Sequence, residues 1–220
     1  MSKRIEFISF EEFQKLYKAE KDKTMKLFIL LAYGSGLRIS EIIGLQKELS
    51  PCCKEEVIRE RRKLLGSTRK ILLCSKCNKE FNYNNLRRKK GEWKIPPLTS
   101  DKINLQTHQI RLDQAKWGKW RVVVTPPLLR EDMLKLLPIS IPRRTIQYRF
   151  EKLSERTLGK RMSVHILRHG FGNYQANVLK LPLPVVQQMM GHSRLDTTGI
   201  YTRANPEESI KAAWKAMGGE

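Results

Sequence analysis

The sequence predicts an α+β fold, mostly helical, with a small three-stranded sheet and a Cys-rich insertion. Three observations predict it. Apolar residues recur at helical spacing up to Leu45 and again from Leu128. Between Asp101 and Thr125 they alternate instead, the period of a half-buried strand. Between Leu49 and Pro97 the composition changes: all four cysteines lie there, in polar and basic surroundings.

Ser9 and Glu12 form an S-x-x-E capping box. It opens a helix carrying Phe10, Phe13, Leu16 and Tyr17. A second helix, about 24–33, carries Leu27, Phe28, Leu30 and Leu31 and is apolar enough to be buried. Gly34-Ser35-Gly36 breaks it. Residues 36–45 read as a short helix with Leu37, Ile39, Ile42 and Ile43 apolar, stopped by Gly44. The insertion, 49–97, holds a basic helical patch at 55–65 and the tract NYNNLRRKKGEWK, and Pro96-Pro97 closes it. Ile103, Leu105, Ile110 and Leu112 then alternate about a turn at 106–109. Val122-Val123-Val124 is a β run, and Gly118 turns the QAKWGKW stretch before it. Helices follow over 128–137 and 143–158, and a third is capped by Ser163. Asn205-Pro206 places an N-cap and a first-turn proline ahead of a terminal helix, 206–217. Ile210, Ala213, Trp214 and Met217 give that helix one apolar stripe.

Charge narrows the function. The chain holds 43 Lys+Arg against 22 Asp+Glu, a net charge of +21. Such an excess points to a polyanion, most simply nucleic acid. No apolar run is long enough to span a bilayer, and the N-terminus has no apolar signal core. A cytoplasmic protein with no membrane partner is therefore expected. There, clustered cysteines point to metal before disulfide. Cys74-x-x-Cys77 has the spacing of a zinc half-site, and Cys52-Cys53 supplies two more thiols. A structural Zn is expected to order a segment too small to fold on its own core.

Arg38, a lysine in QAKWGKWR, His165-x-x-Arg168, Gly191-His192 and Tyr201 form one constellation. On a helix, residues three apart share a face, so His165 and Arg168 point at one spot. Two guanidiniums can fork onto the non-bridging oxygens of a phosphodiester. A tyrosine hydroxyl is a nucleophile once a base takes its proton. A lysine in a strand turn can protonate the leaving alkoxide. Glu41, three residues after Arg38, reads as a brace for an arginine, and His169 as a structural residue on another helix face.

The pieces YGSGLRISEIIGL, KWGKWRVVV, HILRHGFG and MGHSRLDTTGIYTR resemble the tyrosine recombinase (phage integrase) family, near its Xer-like members. The resemblance covers about 7–45 and 101–214. It implies that 1–220 is the family's catalytic domain, mostly helical with a small three-stranded antiparallel sheet, here interrupted by the insertion. It implies Tyr201 as the nucleophile that forms a 3′-phosphotyrosyl link to double-stranded DNA. Arg38 and Arg168 would hold the phosphate, with His165 acting in proton transfer and His192 hydrogen-bonding the phosphate. Lys116, five residues before Arg121, fits the general acid; Lys119 is the alternative. Catalysis would need no metal and no ATP. Lys119, Arg121, Arg87, Arg88, Lys89 and Lys90 are candidate DNA contacts.

The resemblance also implies a tetrameric synapse on DNA, built from a protein expected to be monomeric when free. The terminal helix would dock onto a neighbouring protomer or pack on its own domain. Family members carry a helical core-binding domain ahead of the catalytic one. Its absence from this sequence predicts weaker, strongly salt-dependent DNA binding. Two alternatives stay open: a type IB topoisomerase-like nicking-closing enzyme, and a catalytically inactive DNA-binding remnant.

Overall fold

The computed structural model describes the backbone of residues 7–64, 67–113 and 120–191, with the side chains there other than 63–64, 67–69, 83 and 87–91. The chain divides into two compact units. One takes the chain up to Ile43 and again from Pro97; the other is Gly44–Pro96.

The first unit is mainly helical. Helix α1, Phe10–Ala19, starts at the expected capping box. The Ser9 hydroxyl accepts from the Glu12 N–H at 3.2 Å, and the Glu12 carboxylate accepts from the Ser9 N–H at 3.0 Å. Helix α2, Lys23–Gly34, is N-capped by Asp22, whose carboxylate accepts from the Met25 N–H at 2.9 Å. Every residue from Leu27 to Tyr33 is buried. A helix apolar all round belongs at the centre of a core. Truncating such a leucine to alanine costs about 2–5 kcal/mol.

Helix α3 is only Ile39–Ile42, shorter than the 36–45 expected. Leu37 explains the difference: its N–H reaches back to the Leu31 carbonyl at 3.4 Å and its side chain is buried. Residues 36–38 are thereby committed to a loop, and Arg38 is extended, with φ −75° and ψ 149°.

Strands β6 (Ile103–Asn104), β7 (Gln109–Leu112) and β8 (Arg121–Val124) form the expected antiparallel sheet, in that order. Ile103 pairs with Ile110 and Ile110 with Val123. This buried row fixes the register, because a one-residue slip would turn it to solvent. Strand numbering is taken in chain order, β1–β5 belonging to the second unit.

Helix α4 is Glu131–Leu134, part of the expected 128–137, and α5 is Arg143–Leu158 as expected. Ile146, Phe150 and Leu153 bury one face of α5. Helix α6, His165–Asn173, is not capped by the Ser163 side chain. Val164 already has helical dihedrals, and the chain enters through a tight turn in which the Ser163 carbonyl accepts from the Ile166 N–H at 3.1 Å. Gly170 lets α6 approach its neighbours. A Cβ there would lie 2.4 Å from Ile8 Cγ2 and 2.7 Å from the Tyr33 ring. Helix α7, Leu183–Met190, follows a π-type turn, Tyr174–Val178.

The second unit is built of strands. β1 (Leu45–Leu49) pairs antiparallel with β5 (Arg87–Ile95), and β2 (Val57–Leu64), β3 (Ser67–Cys74) and β4 (Glu80–Phe81) form a three-stranded sheet. The unit begins at Gly44, earlier than the Leu49 expected, because β1 pairs with β5. Residues 55–65 are not helical. β2 and β3 form a hairpin in continuous register from Val57↔Cys74 to Leu64↔Ser67, and cross-strand pairing outweighs the helix propensity of the Arg, Glu and Lys residues. Among its described side chains the unit buries few: Ser50, Ile71, Leu72, Leu73, Cys74 and Ile95.

Candidate functional site

At the N-terminus of α3 a buried carboxylate organises three arginines. Glu41 is 2% exposed and Arg121 is 7% exposed. Arg121 donates from both terminal nitrogens to the two Glu41 oxygens, at 2.8 Å each. Arg38 Nη1 donates to Glu41 Oε1 at 2.8 Å, and the Arg38 N–H donates to Oε2 at 2.7 Å. Burial alone would raise the Glu41 pKa. The hydrogen bonds and charge of Arg121, then the charges of Arg38 and Arg168, outweigh it and hold the carboxyl at about 2. Glu41 is therefore the arginine brace that the sequence suggested.

Arg121 is a correction. It was a candidate DNA contact, but its side chain faces the interior. Strand parity gives the reason: Arg121 shares a face of β8 with buried Val123, while Val122 between them is exposed.

Arg168 lies on α6 and is 2% exposed. It donates to the Gly36 carbonyl, before Arg38, and to the Met190 carbonyl at the end of α7. Arg38 Nη2 donates to the next carbonyl, that of Gly191, at 3.2 Å. Gly191 closes α7 in the left-handed conformation, φ +59°. A Cβ there would sit 2.7 Å from Arg121 Nη1. The two family arginines thus tie the loop after α2 to the end of α7, directly before His192. Arg38 remains partly open, with 19% of its side chain exposed.

His165 stands one turn of α6 before His169. The two rings meet edge to face, with centroids 4.6 Å apart. His169 therefore shares the His165 face, contrary to expectation; the i, i+4 spacing was its visible sign. His165 is exposed on α6, and the partial loss of water around its ring disfavours the imidazolium. That desolvation, and the charges of His169, Arg168, Arg38 and Arg143, push its pKa down to about 4. At neutral pH the imidazole is neutral and can take or give one proton. Arg38, Arg168 and His165 thus act within one positive region, where guanidiniums outnumber the single buried carboxylate.

Lys116, Lys119, His192, Tyr201 and the helix 206–217 lie outside the described residues. Arg87, Arg88, Lys89 and Lys90 lie on β5, and their side chains are outside the description.

In the strand unit, Cys52, Cys53, Cys74 and Cys77 come together. Their Sγ atoms all lie within 4.8 Å of one another, and Cys52 and Cys77 are 3.5 Å apart. Tetrahedral zinc with Zn–S near 2.3 Å separates its sulfurs by about 3.8 Å, so the cluster fits a metal with little adjustment. All four are free thiols. The Ser50 hydroxyl donates to Cys74 Sγ at 3.2 Å. That bond leads the causes that draw the Cys74 pKa down to about 6, while hydrogen bonds with neighbouring thiols, Cys77 first, push Cys53 up to about 12.

Residues 136–208 match the phage integrase family. The chain is 29% identical over 194 residues to tyrosine recombinase XerA of Thermococcus onnurineus, covering 88% of this chain and 56% of that protein. It is 26% identical over 213 residues to a tyrosine recombinase XerC-like protein of Caldanaerobacter subterraneus, covering 94% of this chain and 53% of that one. The chain thus spans a little over half the length of these relatives. A crystal structure of XerA recombinase shares the fold at a TM-score of 0.57 and 16% identity, covering 100% of this chain and 68% of that one. XerH site-specific recombinase, solved bound to its difH substrate before cleavage, gives a TM-score of 0.55 at 18% identity, covering 97% of this chain and 55% of that one. Among the described residues, no helix is long and apolar enough to cross a membrane. Fold, motifs and relatives agree: residues 136–208 carry the phage integrase match, and the chain as a whole is similar to Xer-type tyrosine recombinases.

Proposed function

We propose that this chain is the catalytic domain of a site-specific DNA recombinase, which cuts and rejoins double-stranded DNA through a phosphotyrosine. The observation that carries the reading is the braced arginine set: Arg38 and Arg168 fixed on one loop and one helix end, beside neutral His165. Fixed donors aimed at developing charge stabilise a transition state without reorganising. The named relatives are tyrosine recombinases, and XerH, a site-specific recombinase, was solved bound to its difH substrate; both support the choice of substrate.

In this mechanism Arg38 and Arg168 hold the non-bridging oxygens of the scissile phosphate, and His192 adds a hydrogen bond. Tyr201 Oη attacks phosphorus as His165 takes its proton. The bond from phosphorus to the 5′ oxygen breaks, and Lys116, with Lys119 as the alternative, protonates that oxygen. A 3′-phosphotyrosyl link and a free 5′-hydroxyl result. A 5′-hydroxyl from the partner duplex then attacks the link and releases Tyr201. The phosphotyrosine conserves the bond energy, so the chemistry calls for neither metal nor ATP. Four copies on two duplexes complete an exchange, inside the cell where DNA is at hand. Arg87, Arg88, Lys89 and Lys90 would add phosphate contacts from the strand unit.

The four cysteines hold a structural zinc ion that orders residues 44–96. The small core of that unit and the convergence of the thiols support this role.

A nicked suicide duplex tests the chemistry. Loss of a short fragment next to the nick traps the covalent complex, which runs as a shifted band on a denaturing gel. The wild-type chain is expected to give the adduct and Tyr201→Phe none. A wild-type protein that forms no adduct, or a variant that forms as much, defeats the mechanism.

A further inference from the structure

The thiol cluster is built from two turns of the same design. In the first, the Ser50 N–H donates to the Glu55 carbonyl at 2.8 Å, and the Ser50 carbonyl accepts from the Lys54 N–H at 3.2 Å. In the second, the Cys74 N–H donates to the Lys79 carbonyl at 3.1 Å, and the Cys74 carbonyl accepts from the Asn78 N–H at 2.9 Å. Each turn has a left-handed fifth residue: Lys54 at φ 57° and Asn78 at φ 53°. Each carries a cysteine at its fourth position, Cys53 and Cys77. The turns therefore align position by position, Ser50 with Cys74 and Cys53 with Cys77.

In the second turn the first and fourth residues are the Cys-x-x-Cys pair. In the first turn the first residue is a serine. Ser50 is fully buried and its hydroxyl lies 3.2 Å from Cys74 Sγ, against the cluster itself. The fourth thiol comes instead from the third position of the turn, Cys52, whose counterpart in the second turn is Lys76. This accounts for the adjacent cysteines, which a plain pair of Cys-x-x-Cys turns would not contain.

We propose that Ser50 stands at the first ligand position of a two-turn zinc site, with Cys52 lending the fourth thiolate in its place. Ser50 then serves as an outer hydrogen-bond donor to the Cys74 thiolate, the kind of contact that orients a metal ligand. A thiol at position 50 can take over from Cys52, because both positions reach the same cluster. This rests on the zinc reading above, and the test separates the two.

Zinc content of the purified full-length chain, and zinc affinity by competition with a chromophoric chelator, are measured for wild type, Cys52→Ser, and Cys52→Ser combined with Ser50→Cys. Wild type is expected to carry one zinc per chain. Cys52→Ser should weaken binding at least about tenfold, and the double variant should return to within about threefold of wild type. A double variant as weak as Cys52→Ser overturns the exchange, as does a Cys52→Ser protein that binds zinc like wild type. A wild-type chain that takes up no zinc overturns the zinc reading itself. Ser50→Cys alone gives a check that survives poor folding of the others. In its zinc-loaded form, alkylation should label Cys52 and spare position 50; labelling of position 50 with Cys52 spared overturns the proposal.

Discussion

The guanidinium cluster around Glu41 and the thiol cluster around Cys74 solve the same problem in different ways. Both bring groups together that need a partner of opposite charge, Glu41 in the interior and the thiols with only Cys74 buried. In the helical unit the protein supplies both signs of charge: Glu41 takes Arg121 and Arg38, and backbone carbonyls take Arg168. It does so beside a large apolar core centred on α2. In the strand unit four thiols converge, their Sγ atoms within 4.8 Å of one another. An external cation is the natural complement, in a unit with few buried residues of its own. One cluster sits in a unit with a large core of its own; the other is where the proposed zinc would order a unit that lacks one.

The largest expected effect follows from that difference. Chelating the proposed zinc should abolish hydrogen-exchange protection across 44–96 and leave α2, α5 and α6 protected. Structural zinc contributes about 10–16 kcal/mol in small zinc-dependent peptides, so loss of order should be complete rather than graded. Equal loss of protection in both units would break the comparison.

Next is Glu41→Ala. It strands Arg121 in the interior with no carboxylate, and removing one partner of a buried ion pair costs about 3–5 kcal/mol. The urea midpoint should fall accordingly, and the phosphotyrosyl adduct should fall with it, because Arg38 loses its brace. Glu41→Gln should lie between, since it keeps one acceptor oxygen but not the charge. The pH dependence has a defined sign. The folded Glu41 pKa, about 2, lies below the ordinary carboxyl value of 4.5. Its contribution is therefore fully present above pH 4.5 and is lost as pH falls toward 2, roughly 3 kcal/mol in all. An acid-unfolding curve of Glu41→Gln should lack that component.

A smaller effect is expected at Gly170. Alanine there must displace Ile8 or the Tyr33 ring, both within 3 Å of the added carbon. Overpacking of this kind costs about 1–3 kcal/mol. A thermal midpoint equal to wild type would show that α6 has room the close approach denies.

Much of this architecture was legible beforehand, for identifiable reasons. The capping box at Ser9, the all-apolar face of α2 and the alternation at 103–124 are local patterns, and local physics decided them. Residues 55–65 read as helix because their charged side chains carry no strand period; pairing of β2 with β3 decides for the strand. Arg38, His165 and Arg168 stand out in the sequence only as members of one constellation, and the roles proposed for them rest on it. Arg121 was not legible as a buried residue, because a charged residue beside a basic loop suggests surface, and only strand parity with Val123 contradicts that. Ser50 was invisible, since nothing in SPCC marks it as equivalent to Cys74 until the turn hydrogen bonds are in place.

The subtlest expected effect concerns His165, where the protein has set a charge state rather than a stability. Desolvation, the neighbouring His169 and three arginines hold its pKa at about 4, against an ordinary 6.5. For a base with a lowered folded pKa, the folded state binds fewer protons. Its contribution to stability is thus full above 6.5 and is lost as pH falls toward 4. A phosphodiester beside Arg38 and Arg168 reverses the local field, because an anion favours the imidazolium. The His165 ring signals in an NMR titration should have a midpoint well below 6.5 in the free protein. On a short duplex the midpoint should rise, and DNA affinity should increase as pH is lowered through that range. His165→Asn should remove this increment and leave the salt dependence from lysines and arginines in place. A free-protein midpoint at or above 6.5 would mean that the arginines do not act on the imidazole, and the proton-transfer role drawn for His165 would lose its physical basis.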